Sequence, residues 1–348
     1  MGLTVALAGV AVAIVATGAT AKTAAQADIC VLLPDKTSST RYEQFDRPFL
    51  AKAFKRAGVS YTILNALGSA QTQRSQGDQC ITNGAKVMLV DALDSGTGAA
   101  IEKAAAAKGV KSIDYDRLVI GGKASYYVSY DNVAVGKTMG NGLVATLKAK
   151  GLYSKKPVIA ILNGGVTDNN AKLFKQGYDS VLNPLFKAGT FKKAKSGDQW
   201  TDWDYTKGQT IFEQMLTANG NKIDAAIAAN DGLAGSVVAA LKSRGLQPIP
   251  VTGQDATTQG AQYILAGWQS GTVFKNFINE ANAAATLAIQ LLRGQKVKTN
   301  AKVSNGVRKV PSLFLTPLWV TKRNINVLYT TGQLKKSQVC VGEYKKYC

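Results

Sequence analysis

From residue 28 onward, short runs rich in valine and isoleucine alternate with stretches that have helical periodicity. This alternation predicts strand–helix–strand units, which build parallel sheets with right-handed crossovers and therefore an α/β fold. In one helix, apolar side chains recur at every fourth position from Val135 to Leu147 and form one stripe for the core. The predicted strands are residues 29–33, 61–64, 87–90, 110–113, 126–129, 158–162, 225–229, 249–252 and 272–274, and the predicted helices include residues 69–83, 99–108, 135–150, 172–186, 208–218, 234–244 and 276–293.

The predicted strands fall into two series, with a break near Tyr130-Asp131. At 348 residues the chain is too long for one ordinary open-sheet domain and comfortable for two. We therefore expect two similar lobes, each built on a doubly wound parallel sheet. Ligands of such sheets bind beyond the carboxyl ends of the strands, so a functional site is expected there.

Several predicted strands end in polar residues. Asp116-Arg117, Asn230-Asp231 and Gln254-Asp255 each follow a strand, and Lys275 follows another. Acids, amides and cations satisfy hydroxyl groups, which both donate and accept hydrogen bonds, and the ring of Trp200 suits an apolar C–H face. This mixture favours a neutral polyol as ligand. Helix N-capping is the alternative explanation for the Asp and Asn residues.

The chain contains no histidine, which excludes Ser-His-Asp or Cys-His catalysis and histidine-ligated metal sites. Gly136-Lys137-Thr138 resembles the end of a phosphate-binding loop, but Asp131 stands where that motif needs its first glycine. No G-x-G-x-x-G motif follows the first strand. We therefore expect no metal, no cofactor and no enzymatic activity, although paired carboxylates of a sugar-active enzyme stay open as an alternative.

An apolar run from Leu3 to Ala19 precedes two Ala-x-Ala sites, the second of which ends at Ala27. This pattern predicts a secretory signal peptide over residues 1–27, and an N-terminal membrane anchor is the alternative. A signal peptide would place the mature protein in the periplasm or the extracellular cell envelope.

The four cysteines are expected to form disulfides, because an exported chain folds in an oxidising compartment. We expect Cys340 to pair with Cys348 across a short C-terminal loop. We expect Cys30 to pair with Cys80, which would tie the first strand to the end of a helix. Four free or buried thiols are the alternative.

The formal net charge of the chain is +20. Its cations are scattered, as in Lys192-Lys193 and Lys335-Lys336, and they form no dense basic run. No aromatic–basic RNA-binding motif or zinc finger accompanies them. We interpret the charge as a solvated surface that is attracted to an anionic envelope, and we expect no nucleic-acid partner.

Ten stretches of the sequence together resemble one family. The chain is similar to the xylose-type periplasmic binding proteins of ABC sugar importers, within the wider ribose/galactose-binding family and its type I periplasmic binding fold. The resemblance covers nearly the whole mature chain. The matching stretches are TRYEQFDRPFL (40–50), QCITNGAKVMLVDALD (79–94), YDRLV (115–119), YVSYDNVAVGK (127–137), DNNAKLFKQGY (168–178), GDQWTDWD (197–204), TANGNKIDAAIAANDGLAG (217–235), TGQDA (252–256), TVFK (272–275) and VPSLFLTP (310–317).

The resemblance implies two doubly wound lobes that are joined by three hinge crossovers and close on a ligand. It places the crossovers near Tyr130, Lys275 and residues 315–317. The implied domains are an N-lobe of residues 28–130 plus 276–316, a C-lobe of residues 131–275 plus 317–339, and a C-terminal tail of residues 340–348.

The resemblance also implies a set of sugar-binding residues at the strand ends. Tyr42 stands where the family usually has Trp, which would soften stacking on the sugar. Asn169 could serve in place of Asn170, and Asp202, Trp203 and Asp204 are expected just outside the pocket. The expected binding residues are Arg41, Tyr42, Asp116, Arg117, Asn170, Trp200, Asn230, Asp255 and Lys275.

The function implied by the resemblance is reversible capture of a free monosaccharide, with D-xylose as the first candidate, and delivery to an ABC transporter permease. We expect the protein to act as a monomer. Ribose, arabinose, glucose or an inositol remain alternatives for the ligand. A sensor that presents sugar to a membrane receptor and a sugar-active enzyme remain alternatives for the function. A transcription repressor of the same fold would need a helix-turn-helix segment, for which residues 1–27 are too short.

Overall fold

The computed structural model describes residues 1–2 and 27–348. The predicted signal peptide therefore lies, except for its ends, outside the described residues. The strands are β1 (Ile29–Leu33), β2 (Tyr61–Asn65), β3 (Val87–Val90), β4 (Lys111–Tyr115), β5 (Tyr126–Tyr130), β6 (Val158–Asn163), β7 (Lys192–Trp200), β8 (Ala225–Ala228), β9 (Thr272–Phe274), β10 (Ala301–Ser304), β11 (Lys309–Leu315) and β12 (Leu318–Val320).

The helices are mostly amphipathic, and none of those described is long and apolar enough to span a membrane. A π-helical turn, Tyr42–Asp46, leads into the first α-helix, and short 3₁₀ turns occur at Tyr153–Lys155 and Gly342–Tyr347. The α-helices are α1 (Arg47–Ala57), α2 (Ala70–Thr82), α3 (Ser95–Ala107), α4 (Asn132–Ala149), α5 (Asn169–Lys187), α6 (Tyr205–Ala218), α7 (Asp231–Ser243), α8 (Thr258–Ala266), α9 (Phe277–Leu292), α10 (Asn326–Thr330) and α11 (Lys336–Val339).

The N-lobe is built on a seven-stranded sheet in the order β10-β11-β5-β4-β3-β1-β2. All neighbours pair in parallel except β10 and β11, which form an antiparallel hairpin at one edge. Helices α1 and α9 pack together over one face, while α2 and α3 pack together over the other. This arrangement confirms the predicted doubly wound parallel sheet.

The C-lobe contains a parallel sheet in the order β7-β6-β8 and an antiparallel pair of β9 and β12. The strand predicted at residues 249–252 is reduced to one bridge, in which Val251 pairs with Ala226 beside β8. A second bridge joins Gln254 to Val273 in β9. The segment from Val251 to Gln254 therefore connects the three-stranded sheet to the pair of β9 and β12. Four strands were not predicted: β7, β10, β11 and β12.

The chain passes between the lobes three times, as the resemblance implies. It leaves the N-lobe sheet after Tyr130 to enter α4, and it returns after β9 through α9, which packs on the N-lobe. It leaves again after β11, because β12 pairs with β9 in the C-lobe. The exact domain limits drawn from the sequence remain a prediction.

Most helices start at a residue whose side chain accepts a hydrogen bond from the first turn. Such caps satisfy backbone N–H groups that have no partner within the helix. These capping residues are Ser69, Asp94, Asp131, Asp168, Asp204, Asn230, Thr257 and Asn276.

Two glycines bring α4 and α5 of the C-lobe unusually close. A Cβ on Gly136 would lie 2.0 Å from the carbonyl oxygen of Phe174, and a Cβ on Gly177 would lie 2.3 Å from that of Val133. No larger residue fits at either position without separating the helices. The contact matters for the site because α5 carries residues of the cleft.

Both predicted disulfides are confirmed. Cys30 in β1 pairs with Cys80 in α2, and their Cα atoms are 6.1 Å apart. Cys340 pairs with Cys348 at the C-terminus, where the Cα atoms are 6.0 Å apart. Cys30 and Cys80 belong to the apolar cluster that joins the sheet to α2 and α3.

A candidate ligand-binding cleft between the lobes

A small polar cavity with a volume of about 30 Å³ lies between the lobes, at the carboxyl ends of their strands. This volume is well below the roughly 300–1,000 Å³ of small-molecule sites, because the two lobes contact each other directly across the cleft. Eight of the nine residues expected at the site line it. The full lining is Ser38, Ser39, Arg41, Tyr42, Asp116, Arg117, Asp168, Asn170, Phe174, Trp203, Asn230, Gln254, Asp255 and Lys275.

Asp116 follows β4 in a left-handed conformation, with φ of +59°. This turn brings the Asp116 carboxylate into the cavity, where Arg41 Nη1 donates to its Oδ1 at 2.7 Å. Burial alone would raise the pKa of Asp116. The charges of Arg41, Lys275 and Arg117 outweigh burial and lower that pKa below its usual value. Asp116 is therefore an ionised acceptor, not a proton donor.

Arg117 links the N-lobe wall to the C-lobe. Its Nη2 donates to the Tyr42 hydroxyl at 3.0 Å and to Ser38 Oγ at 3.2 Å. Its Nε lies 3.7 Å from Asp168 Oδ2 across the cleft. Burial lowers the pKa of Arg117, but neighbouring Tyr42 and carboxylates including Asp168 raise it well above its usual value, so the charge is retained.

Arg41 is almost fully buried, and three carboxylates surround its guanidinium group. Its Nε donates to Asp46 at 2.8 Å, and its Nη2 donates to Glu280 at 2.9 Å, in addition to the bond to Asp116. The guanidinium carbon also lies 4.4 Å from the ring centre of Phe277. Most of the hydrogen-bonding capacity of Arg41 is thus used within the protein, and its clearest structural role is to hold Asp116 in place.

The start of α5 supplies the opposite wall. Asn170 Nδ2 donates across the cleft to the backbone carbonyl of Asp116 at 2.9 Å. Phe174 lies one helical turn further along, on the same side of the helix, and its ring also lines the cavity. Asp168 caps the helix through the backbone N–H of Asn170.

The tryptophan that lines the cavity is Trp203, not Trp200. The structure therefore disagrees with both expectations, that Trp200 lines the pocket and that Trp203 lies just outside it. Trp200 ends β7, but Asp202 and Trp203 have φ values of +57° and +60°, which turn the chain and bring the Trp203 ring to the cavity. The Trp203 Nε1 donates to Asp168 Oδ2 at 3.1 Å. Asp202 and Asp204 lie in the adjoining space outside the cavity, as expected.

Glycines at residues 164 and 165 make room for the Trp203 ring. A Cβ on Gly164 would lie 2.2 Å from the indole, and a Cβ on Gly165 would lie 3.0 Å from it. The indole therefore packs directly on the backbone that follows β6, which fixes its orientation.

Asn230 acts both as a helix cap and as a link between the lobes. Its Oδ1 accepts from the backbone N–H of Leu233, so the capping alternative holds for this residue. Its Nδ2 donates to the backbone carbonyl of Ser38 in the N-lobe at 3.2 Å. The Tyr205 hydroxyl donates to the same carbonyl at 2.7 Å.

Asp255 and Lys275 lie at the hinge side of the cavity. Asp255 has φ of +90°, and its Oδ2 accepts from Ser39 Oγ of the N-lobe at 3.3 Å. Lys275 Nζ lies 3.1 Å from Asp255 Oδ1 and forms an ion pair with it. Burial lowers the pKa of Lys275, but Asp255 and Asp116 raise it above its usual value, so the ammonium stays charged.

Three buried side-chain oxygens in the cavity lining have no hydrogen-bond donor from the protein. They are Asn170 Oδ1, Gln254 Oε1 and Asp255 Oδ1, of which the last forms an ion pair with Lys275. A buried polar group without a partner costs about 1–3 kcal/mol. A ligand with several hydroxyl groups could donate to these atoms while it accepts from the neighbouring cations. The described residues contain no group of three or more carboxylate or thiol side chains placed to hold a metal ion.

Sequence reasoning missed six lining residues, and four of them had a usable signal. Gln254 directly precedes Asp255, Asp168 precedes Asn170 by two positions, and Phe174 follows it by one helical turn. Trp203 lies in the same quoted stretch as Trp200. Ser38 and Ser39 offered no signal beyond their place after the first strand.

Comparison with known proteins agrees with this arrangement. The periplasmic binding protein domain matches residues 29–296. A D-xylose-binding periplasmic protein of Escherichia coli is 37% identical over 85% of this chain and 88% of its own length. A multiple sugar-binding periplasmic receptor of Rhizobium radiobacter is 32% identical over 89% of this chain and 91% of its own.

A solved structure of a carbohydrate transporter solute-binding protein from Chloroflexus aurantiacus, in complex with D-glucose, is also similar. It is 30% identical with a TM-score of 0.82, covering 90% of this chain and 98% of that protein. These relatives are all named as binding proteins or receptors of sugars. On its sequence, its two-lobed fold and these relatives, the chain belongs to the periplasmic binding protein family.

Proposed function

We propose that this protein is the substrate-binding component of an ABC-type sugar importer, which captures a free monosaccharide between its lobes in the periplasm. The observation that carries the proposal is the cavity between the lobes, in which Asn170 Oδ1 and Gln254 Oε1 are buried acceptors without a protein donor. Sugar hydroxyls can donate to both atoms. The aromatic rings of Tyr42, Phe174 and Trp203 supply faces for the C–H groups of a sugar ring.

The charges in the cavity favour a neutral ligand over an anion or a cation. The cavity lining holds three acids and three cations, which already compensate one another: Asp116, Asp168 and Asp255 face Arg41, Arg117 and Lys275. A charged ligand would disturb this balance in a buried site. A neutral polyol leaves it unchanged and gains charge-assisted hydrogen bonds, each of which contributes about 1.5–3 kcal/mol.

D-xylose is the first candidate among the sugars, because the relative at 37% identity carries that sugar in its name. Relatives named for several sugars, and the similar structure that holds D-glucose, keep hexoses in the comparison. Calorimetric titration with D-xylose, D-ribose, L-arabinose, D-glucose and myo-inositol tests the proposal. We expect micromolar or tighter binding of at least one of them, and no heat from any of the five would contradict a sugar-binding function.

Binding is proposed to close the lobes and to present a closed form to a membrane permease. The contacts of Ser38 with Asn230 and Tyr205, and of Asn170 with Asp116, are available to hold such a form. Small-angle scattering with and without the bound sugar measures closure as a decrease in the radius of gyration. A sensor would also close, so sugar uptake by membrane vesicles that contain the permease distinguishes transport from sensing.

The protein is proposed to be non-enzymatic and monomeric. Asp116 has a lowered pKa, so it is poorly suited to donate a proton, and the chain has no histidine. Incubation with labelled sugar should return the sugar unchanged. Any converted product would contradict this part of the proposal. Light scattering at several protein concentrations measures the oligomeric state.

A further inference from the structure

The segment between β4 and β5, residues 116–125, begins with Asp116 and Arg117, and two buried carboxyl groups hold its backbone. Asp114 Oδ2 accepts from the backbone N–H of Val119 at 3.1 Å. Glu102 of α3 accepts from the backbone N–H groups of Lys123 and Ala124 with one oxygen, Oε2, at 2.8 Å from Ala124. Both acids are fully shielded from solvent. The path of the segment is therefore set by these two side chains.

The backbone at Gly122 also lies close to the Glu102 carboxyl group. A Cβ on Gly122 would lie 2.2 Å from Glu102 Oε2, so only glycine lets the segment lie directly on this carboxyl group. Asn305 secures the segment from the other side, because its carbonyl accepts from Gly121 at 2.7 Å and its Nδ2 donates to the Gly122 carbonyl at 3.0 Å.

The carboxyl groups of Glu102 and Asp114 also lie within hydrogen-bonding range of each other. Each has one further oxygen, Oε1 or Oδ1, that is buried without a protein donor. A carboxylate can only accept hydrogen bonds, so a bond between two carboxyl groups requires one proton. With both groups ionised, two negative charges would face each other in a buried site.

The surrounding charged groups do not replace that proton. Asp91, directly after β3, adds a further negative charge near Asp114, and the exposed Arg308, in the turn between β10 and β11, attracts Glu102 only from a distance. Lys123 reaches Glu102 with its backbone, while the residue itself is exposed. Burial raises the pKa of both Glu102 and Asp114, and Asp91 adds to the effect on Asp114.

We propose that Glu102 and Asp114 are positioning residues, which share one proton and thereby hold Asp116 and Arg117 in the geometry that binds sugar. Loss of the proton at alkaline pH drives the two carboxylates apart, releases the 116–125 segment and weakens the site. The inference rests on the proposed sugar-binding function, and it adds a titratable control to it.

The decisive variant is Glu102→Gln. The Gln Oε1 can accept from the same two backbone N–H groups, and its Nε2 can donate to Asp114 without any shared proton. Glu102→Ala removes both contacts. Asp231→Asn is the matched control, because Asp231 is also a buried acid but does not line the cavity.

Affinity for the sugar that the wild type binds is measured by calorimetry in all four proteins, over the whole pH range in which they stay folded. We expect the wild type and Asp231→Asn to lose about tenfold in affinity relative to Glu102→Gln as the pH rises and the pair loses its proton. Glu102→Ala should bind weakly throughout. Equal pH profiles for the wild type and Glu102→Gln would overturn the inference, even if Glu102→Ala fails to fold.

A second readout does not depend on sugar. As the pH rises and the pair loses its proton, the backbone N–H groups of Val119 and Ala124 should lose about tenfold in protection from hydrogen exchange in the wild type relative to Glu102→Gln. If no sugar binds the wild type at any pH, the proposed function fails while this measurement still decides the role of the pair. Equal protection in both proteins would contradict the positioning role.

Discussion

Replacing Asn170 with alanine tests the cleft at a position where the consequences can be separated. The side chain makes one bond across the cleft, from Nδ2 to the carbonyl of Asp116, and it offers Oδ1 to the ligand. The Asp116 carbonyl also accepts from Tyr127 at 2.9 Å and from Ser129 at 2.8 Å. The substitution therefore leaves no new buried group without a partner.

The expected loss follows from the two bonds removed. A neutral hydrogen bond contributes about 0.5–1.5 kcal/mol, so the bond to the sugar and the bond between the lobes together amount to about 1–3 kcal/mol. This range corresponds to an increase of about 5- to 150-fold in the dissociation constant of the Asn170→Ala variant. Calorimetric titration with the sugar that the wild type binds measures it, and thermal unfolding checks that the variant is folded.

Asn169→Ala is the matched control for this prediction. Asn169 begins the same helix and is only half-buried, and it does not line the cavity, so its loss should change affinity by less than about twofold. The reasoning is refuted if Asn170→Ala binds within about twofold of the wild type. It is also refuted if Asn169→Ala is the more damaging of the two.

Three further perturbations follow from the structure. Trp203→Ala should weaken sugar binding by about tenfold in the same titration, because an aromatic wall contributes about 1.5 kcal/mol, whereas Trp200→Ala should leave binding unchanged. Joint replacement of Cys30 and Cys80 by serine should lower the free energy of unfolding by about 4 kcal/mol in a denaturant titration, since that disulfide closes a 50-residue loop. Burial raises the pKa of Asp231 to about 7 from 3.8, so the folded state holds this proton more tightly than the unfolded state, and Asp231→Asn should gain up to about 4 kcal/mol over the wild type as the pH rises from 4 to 8.

Each of these has a result that would contradict it. Equal losses in the two tryptophan variants would mean that the indole of Trp203 has no special contact with the sugar. A cysteine variant as stable as the wild type would contradict the stabilisation that we expect from closing the loop. A stability difference between Asp231→Asn and the wild type that stays constant with pH would show that Asp231 does not titrate in this range.

The parallel core of the fold could be predicted because its strands are continuous apolar runs. The bounds of β1, β3 and β9 agree with the sequence prediction. Strand β7 was not predicted from the sequence, because its residues, KKAKSGDQW, are mostly polar. The strand also lies at a sheet edge and pairs with β6 with a register shift. Polar composition and irregular pairing remove the hydrophobic signal on which such predictions depend.

The polar residues that follow strands, such as Asp116, Asn230 and Asp255, were predictable because parallel strands gather their carboxyl ends at one edge of the sheet. Arg41 and Asn170 were expected only from the family resemblance. The position of the tryptophan in the cavity was not predictable in this way. Which of Trp200 and Trp203 reaches the cavity depends on the backbone between them. There Asp202 and Trp203 adopt left-handed conformations that non-glycine residues rarely take. No local sequence pattern predicts such a turn. The double use of Asn230 as cap and lobe contact likewise depends on the tertiary position of Ser38.

The close approach of α4 and α5 has a mechanical consequence. Gly136 and Gly177 place backbone against backbone, so at this contact no flexible side chain lies between the two helices to absorb a relative displacement. Helix α4 begins next to the crossover at Tyr130, and α5 carries Asn170 and Phe174. We therefore expect a rotation at that crossover to carry α4 and α5 together, and with them the two side chains of the cavity wall.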